Sequence, residues 1–315
     1  MRVVILGAGP AGLYLGYLLK RRSPETEVEI FEQNQAGATF GFGIAFSERA
    51  LEFLKRDDPD TFAALSPALE SWSDSILTLN GEEIRIDGIG YAGIGRLRLL
   101  EILQARAASV GLVPHYGKRI ETLDGIAADL IVGADGVNSV VRQSRAGAFE
   151  TTVSQLNNRF AWFGTAKRFE ALGHTFLQTE LGTFNAHHHR HAPNQSTFVV
   201  EVDEATFFRA GLDAMEADRA RDFCAEIFVH TLGGAPLIFL GVALATTVAA
   251  PAANAPPTSH NNVSQRSCTD SRRSNSRYCC AERILMPASG SRFVLSLRAS
   301  SGPAPSGPVA EAAAR

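Results

Sequence analysis

Residues able to do chemistry are concentrated in a few short stretches. Gly7-Ala8-Gly9-Pro10-Ala11-Gly12 has the spacing G-x-G-x-x-G, and Glu32 lies 20 residues beyond Gly12. These residue types suit one task, holding the pyrophosphate and ribose of a dinucleotide. Gly7 permits a tight turn, Gly9 lets the backbone approach a phosphate, and Gly12 lets a helix pack close to a strand. The Glu32 carboxylate can accept from both ribose hydroxyls and would repel a 2′-phosphate. Asp135-Gly136 opens a second pattern, D-G-x-x-S-x-x-R, which continues through Ser139 and Arg142. No residue is assigned as catalytic.

The surrounding elements must position these groups. Val3-Val4-Ile5-Leu6 is a continuous apolar run, as expected for a buried parallel strand. Leu15, Leu18 and Leu19 follow at helical spacing, and Lys20-Arg21-Arg22 suit the negative end of a helix dipole. Ser23-Pro24 stops that helix, and Glu27 to Glu32 alternates as a second strand. Ala127 to Gly136 reads as another apolar strand that ends in a turn, with Asp135 at the strand's carboxyl end, where α/β sheets place ligands. Ser139 can cap the helix after it. Leu99, Leu100, Leu103 and Ala107 form the core face of a further helix, with Arg96 in its first turn.

The glycine turn followed by this Asp-Gly pattern resembles the FAD-dependent aromatic hydroxylases, the single-component flavoprotein monooxygenases. Ile94-Gly95-Arg96-Leu97-Arg98-Leu99-Leu100-Glu101-Ile102-Leu103 carries a third match, I-x-R-x-x-L-x-x-x-L. Thr39 to Ser47, Gly93 to Arg96, Trp162 to Thr165, Phe184 to His187 and Ser196 to Glu201 are similar to one branch. That branch is the anthraniloyl-CoA monooxygenase and salicyloyl-CoA 5-hydroxylase group, and the likeness covers about residues 1 to 233. It implies an FAD-binding α/β Rossmann-like domain with a mixed or antiparallel substrate sheet. It implies hydroxylation of an aromatic acyl-CoA with NAD(P)H and oxygen. By the same resemblance, residues 7–12, Glu32, Gln33, Arg96, Asp135 and Gly136 would contact FAD, and Arg142 would support the Asp-Gly turn. Gln33 departs from the branch, which has Arg after the acid, so one charge near the phosphates is lost.

Arg159–Ala166, Thr175–Gln178, Thr183–His189 and Thr197–Val202 alternate bulky and polar residues, as half-buried antiparallel strands do. Ala214 to Leu232 reads as one helix with Ala220, Phe223, Ile227 and Phe228 on one face. In the run His187-His188-His189-Arg190-His191, alternation allows His187, His189 and His191 to share a face. No acid or Cys accompanies them, so no metal site is expected. The resemblance instead puts Phe42, Gly43, His187 and His189 beside the substrate.

The domain expectation is therefore 1–150 for FAD, with part of the substrate layer at about 72–92, and 151–233 for the substrate sheet and helix. Residues 234–315 differ. From residue 251 onward there are eight Arg, no Lys and three acids, a net of +5 in a chain whose total is −3. Ala235 to Ala250 is apolar or small, but these 16 residues fall short of the about 20 that span a bilayer, so a membrane anchor is disfavoured. The Ser/Ala/Arg/Pro-rich remainder cannot bury enough apolar surface to offset chain entropy, and an aberrant, disordered tail is expected. The family's third FAD motif, Gly-Asp then Ala-Ala-His, does not occur there. An inactive, truncated or frame-shifted FAD-fold product is thus the alternative to a working hydroxylase. Over all 315 residues, 45% hydrophobic and 20% charged is a globular balance with no basic field for nucleic acid. Sparse cysteines and the lack of a secretory leader pattern lead to the expectation of a cytoplasmic protein.

Overall fold

A computed structural model describes residues 1–39, 41–151, 156–239 and 278–280. Phe40 and almost all of the expected tail, including the apolar 240–250, lie outside them. In chain order the elements begin β1 (Arg2–Leu6), α1 (Pro10–Arg22), β2 (Glu27–Phe31), β3 (Gly43–Ser47), α2 (Glu48–Asp57) and α3 (Pro59–Leu65). Next come β4 (Glu70–Trp72), β5 (Ser75–Leu79), β6 (Glu82–Ile86), β7 (Tyr91–Gly95), α4 (Arg96–Ala108), β8 (Leu130–Gly133) and α5 (Val140–Ser144). The chain continues through β9 (Arg159–Thr165), β10 (Leu172–Thr179), β11 (Gly182–Ala192), β12 (Gln195–Val202) and α6 (Glu204–Arg209). It ends with α7 (Ala217–Ile227), α8 (Val229–Leu232), β13 (Leu237–Ile238) and β14 (Tyr278–Cys280).

The chain divides into two compact units that interleave in sequence. The first takes Met1–Ala36 and Gln104–Val153; the second takes Gly37–Leu103 and the described part of Ser154–Pro256. No single cut near residue 150 separates them, because β3 to β7 join the second unit.

In the first unit, a parallel sheet has the order β14-β8-β1-β2. β1 is buried from Val3 to Leu6, which explains its unbroken apolar run. Val4, Leu6, Ile131 and Val141 pack together on one side. On the other, α1 buries Gly12, Leu13, Gly16 and Tyr17, while Leu15, Leu18 and Leu19 stay half-buried. The contact face is thus set by glycines rather than leucines. A Cβ on Gly16 would stand 2.7 Å from Leu112 and 2.9 Å from Ile30. The β14 strand, from the region expected to be disordered, pairs with β8 through Tyr278↔Ile131, Cys279↔Val132 and Cys280↔Gly133.

In the second unit, seven strands run β13-β9-β12-β11-β10-β5-β6, and three run β3-β7-β4. The larger sheet is antiparallel except where β5 meets β10, so it is mixed. Phe163, Phe184, Ala186, Phe198, Val200, Val202, Cys224, Phe228 and Leu232 form the core beneath it. The helix expected over Ala214–Leu232 is two helices, interrupted at Phe228. The interruption turns the Phe228 ring fully into the core, edge-on to Phe198 at 5.5 Å. Burial also pushes the Cys224 thiol up to about 12, so it stays protonated and unreactive. Among the described residues no helix is long and apolar enough to cross a membrane.

Candidate functional site

The first unit carries the dinucleotide pattern, and its three glycines have separable roles. Gly7 has φ +102°, and a Cβ there would come within 2.3 Å of the Ala134 carbonyl oxygen. A Cβ on Gly12 would come within 1.9 Å of the Gly7 carbonyl oxygen. Both glycines are therefore demanded by the fold itself. A Cβ on Gly9 meets nothing within 4 Å, so the space above it is open. Gly9 is also the N-cap of α1, with no side-chain cap, and Pro10 opens the helix. The first amides of α1 are thus left to an anion, which the helix dipole also favours.

Glu32 sits at the end of β2 and braces this loop. One carboxylate oxygen accepts from the Ala8 amide at 2.8 Å; the other accepts from the Asn34 amide at 2.9 Å and its side chain at 2.8 Å. Each oxygen retains further lone-pair capacity for a hydroxyl donor. Gln33 accepts at 3.4 Å from Arg119. An exposed guanidinium therefore lies beside Gln33, supplied by a residue the sequence reading did not single out.

Asp135 follows β8. Its Oδ2 accepts from the Val140 amide at 2.7 Å, at the start of α5. Its Oδ1 is buried with no partner among the described residues. An unsatisfied buried acceptor of this kind costs about 1–3 kcal/mol, so it calls for a donor such as a ligand hydroxyl. Gly136 has φ +79°, and Arg142 donates to the carbonyls of Gly136 and Val137, fixing the turn. Ser139 caps α5 by accepting from the Arg142 amide at 3.1 Å. Ser139→Ala is expected to cost about 1 kcal/mol in a urea titration, the usual value of a lost N-cap.

The residues present fit a dinucleotide cofactor: an open cradle at Gly9, an uncapped helix start and an orphaned carboxylate oxygen lie in one unit. Arg96 lies in the other unit, at the start of α4. Its amide donates to the Phe42 carbonyl at 2.8 Å. Its guanidinium has no ion-pair partner among the described residues, and burial lowers its pKa.

The second unit presents a face of imidazole and indole. Across the sheet, Trp162, Val199, His187, His174 and Leu77 stand in one row, each opposite the next. Alternation places Asn185 and His189 on the same face, and His191, at an irregularity in β11, reaches it through Thr197, the residue opposite His189. His187 stacks on His174 at 5.7 Å, and His189 on Trp72 at 6.0 Å. The ring that meets Phe42 and Gly43 is that of His191, which the sequence placed on this face but not among the residues beside the substrate. A Cβ on Gly43 would stand 2.3 Å from His191, one on Gly41 2.6 Å from Trp162, and one on Gly164 2.4 Å from Phe42. The glycines of this segment are what let the three rings seat. Thr197 accepts from the Gly43 amide at 2.9 Å and hydrogen bonds His191 Nδ1 at 3.1 Å. Arg190 is buried over the Trp72 ring at 5.3 Å and holds Glu70 at 3.1 Å and the Phe169 carbonyl at 2.8 Å. His188 points to the other side, between Phe169 and Phe198, and bonds Thr175 at 3.1 Å.

Burial is the main cause that pushes His188 and His189 down to about 3 and His187 and His191 to about 4. His174 is lowered for the same reason. These rings are uncharged at neutral pH, so the face is polar but not ionic. Trp162 Nε1, Asn185 Oδ1 and His189 Nε2 are buried there without partners among the described residues. Among the described residues no three potential metal-ligating side chains converge, and the imidazoles stack instead.

Solved structures of oxygenases share this fold. The 2-methyl-3-hydroxypyridine-5-carboxylic acid oxygenase superposes with a TM-score of 0.56 at 16% identity, covering 75% of this chain and 69% of that one. PqsL of Pseudomonas aeruginosa, described as a probable FAD-dependent monooxygenase, gives 0.54 at 15% identity, covering 76% and 72%. In sequence the chain is 35% identical over 249 residues to the salicyloyl-CoA 5-hydroxylase of a Streptomyces species. It is 29% identical over 238 residues to the 3-hydroxy-4-methyl-anthranilyl-(aryl-carrier protein) 5-monooxygenase of Streptosporangium sibiricum. Each match covers 76% of this chain, but only 48% of the first relative and 64% of the second. The chain thus spans about half of one and under two thirds of the other. No protein-family model matches it. It has the fold of the FAD-dependent aromatic hydroxylases, and its relatives include the branch that its motifs resemble.

Proposed function

We propose that this chain binds FAD and forms part of a monooxygenase that hydroxylates an aromatic acyl-CoA, of the anthraniloyl or salicyloyl kind, with NAD(P)H and O2. The observation that carries the flavin half is the orphaned Asp135 Oδ1 in the same unit as the open cradle over Gly9. The acyl-CoA half is supported by the likeness to salicyloyl-CoA 5-hydroxylase. Bound FAD supplies hydride acceptance from NAD(P)H and transfer of one atom of O2 to an aromatic ring, the other atom leaving as water.

The chain's own groups bind, orient and exclude water. Gly9 and the α1 amides take the pyrophosphate, and Glu32 takes ribose hydroxyls. Asp135 Oδ1 accepts from a cofactor hydroxyl, Gly136 holds the turn beneath it, and Arg96 supplies a positive charge to an anionic group. On the sheet face, Phe42, Trp162 and the neutral imidazoles of His187, His189 and His191 make a dry, hydrogen-bonding surface for an aromatic ring and its carbonyl. Use of NAD(P)H and a CoA thioester sets the reaction in the cytoplasm.

Purified protein is expected to carry a flavin spectrum or gain one on addition of FAD. It is then expected to oxidise NADH or NADPH faster with salicyloyl-CoA or anthraniloyl-CoA than with the free acids. A flavin-bound protein indifferent to both thioesters overturns the acyl-CoA reading. A protein that stays colourless in excess FAD overturns the whole and leaves a non-catalytic product of the same fold.

A further inference from the structure

The β5–β6 hairpin carries an apolar surface that neither the cofactor nor the substrate reading uses. β6 is the outer strand of the seven-stranded sheet, and all five of its residues are exposed. Among the described residues nothing pairs with its outer edge, so it offers a row of free amides and carbonyls. Leu77 stands opposite Ile84, and Ser75 opposite Ile86, so Leu77, Leu79, Ile84 and Ile86 share one face of the hairpin. Leu79 is 53% exposed, Ile84 55% and Ile86 43%. An edge left open in this way invites pairing, and its charges decide with what.

We propose that this edge is a homodimer interface, in which β6 pairs antiparallel with β6 of a second copy about a two-fold axis at Ile84. The argument is one of register. For the apolar face to run unbroken across the axis, opposed residues must share a face, so the axis must fall on a residue. With the axis on Glu83, that carboxylate meets its own copy. With the axis on Arg85, two guanidinium groups meet. With the axis on Ile84, Glu83 stands opposite Arg85 of the second copy, twice by symmetry. Ile84 meets Ile84 at the centre, and Glu82 lies opposite Ile86 at each end. The sequence Glu82-Glu83-Ile84-Arg85-Ile86 thus complements itself in one register and repels in its neighbours. Charges on an edge strand ordinarily block pairing; here they select a single partner geometry. Arg85 already donates to Asp74 at 2.6 Å, and the planar guanidinium has further donors for a second carboxylate.

Sedimentation velocity on the full chain over a concentration series tests this. The unaltered protein is expected to show a monomer–dimer equilibrium. Glu83→Arg, which leaves the Arg85–Asp74 pair in place, and Arg85→Glu, which breaks it, each turn two attractive cross-strand pairs into two repulsive ones. Each is expected to raise the dimer dissociation constant about tenfold or more. The double variant Glu83→Arg/Arg85→Glu restores opposite charges across the axis and is expected to recover the dimer, although its Asp74 contact stays broken. A protein monomeric at every concentration overturns the proposal. So does a dimer indifferent to both single variants, or a double variant no tighter than the singles. Melting curves of the four proteins separate loss of association from loss of fold.

Discussion

Gly9→Val is expected to yield a folded protein that no longer holds FAD, whereas Gly12→Val is expected to yield one that does not fold properly. The two positions sit three residues apart in one turn, yet their surroundings are opposite. At Gly9 the backbone is extended, φ −69° and ψ 178°, which any residue adopts, and a Cβ enters empty space. That space is where the pyrophosphate must approach the first amides of α1, so an isopropyl group there blocks the ligand and nothing else. Loss of the helix-terminus contacts should weaken FAD binding by about 100-fold or more, roughly 3 kcal/mol. The thermal midpoint without flavin should fall only slightly, since Gly9 is the N-cap of α1 and exchanging glycine for the poorer N-cap valine costs about 1 kcal/mol or less. At Gly12 the new Cβ would lie 1.9 Å from the Gly7 carbonyl oxygen, a backbone atom that cannot move without opening the turn. Overpacking of this kind costs about 1–3 kcal/mol or more, and the loss appears in the melt with or without FAD. Equal loss of stability in both variants would show that the space over Gly9 is structural. Undiminished flavin binding by Gly9→Val would remove the cofactor from this turn altogether.

Such a contrast between neighbours marks the limit of what the sequence discloses. The turn itself is legible because its spacing is local: Gly7 to Gly12 and Glu32 belong to one strand-helix-strand unit. The Asp-Gly turn is legible for the same reason, with Ser139 capping the helix that its position announces. What the sequence does not disclose depends on residues brought from elsewhere. Gly16 matters because Leu112 and Ile30 close on it, and no period in α1 signals that. Arg190 looks like one more polar residue in a histidine-rich run; its role depends on Glu70 and Phe169, which come from distant strands. Alternation put His187, His189 and His191 on one face, but could not say that His191 is the one against Gly43. The division of the chain follows the same rule. Part of the substrate layer is expected at about 72–92, but the transfer of all of Gly37–Leu103 to the second unit depends on sheet pairings invisible along the chain.

Stability is expected to fall steeply as the pH drops from about 7 to 5, before the carboxylates that make the ion pairs begin to titrate. The cause is the set of imidazoles buried in the uncharged form. His188 and His189 hold their protons only below about 3, and His191 only below about 4, chiefly because burial penalises the cation. In the unfolded chain each returns to its ordinary value of 6.5. Below pH 6.5 the unfolded state therefore binds more protons than the folded one, and stability rises with pH. The contribution is whole above about 6.5 and is lost as the pH falls toward the folded-state values. At pH 5 each of these three rings accounts for about 2 kcal/mol, several kcal/mol in sum, against a total of about 5–15 kcal/mol for a typical domain. A drop of about 10 °C or more in the midpoint of the second unit should follow between pH 7.5 and pH 5. Asp57, Asp74 and Asp203 have lowered values, so their pairs and caps persist through this window and do not produce the same slope. His188→Asn separates the causes. It forfeits packing between Phe169 and Phe198, so it lowers stability at every pH, but it cannot take up a proton in either state. The slope of stability against pH should therefore decrease by up to one proton's worth, about 1.4 kcal/mol per unit. A midpoint flat from pH 7.5 to 5 would mean that these rings are solvated or charged in the folded protein. The sheet would then present cations to its ligand rather than the neutral surface on which an aromatic ring can lie.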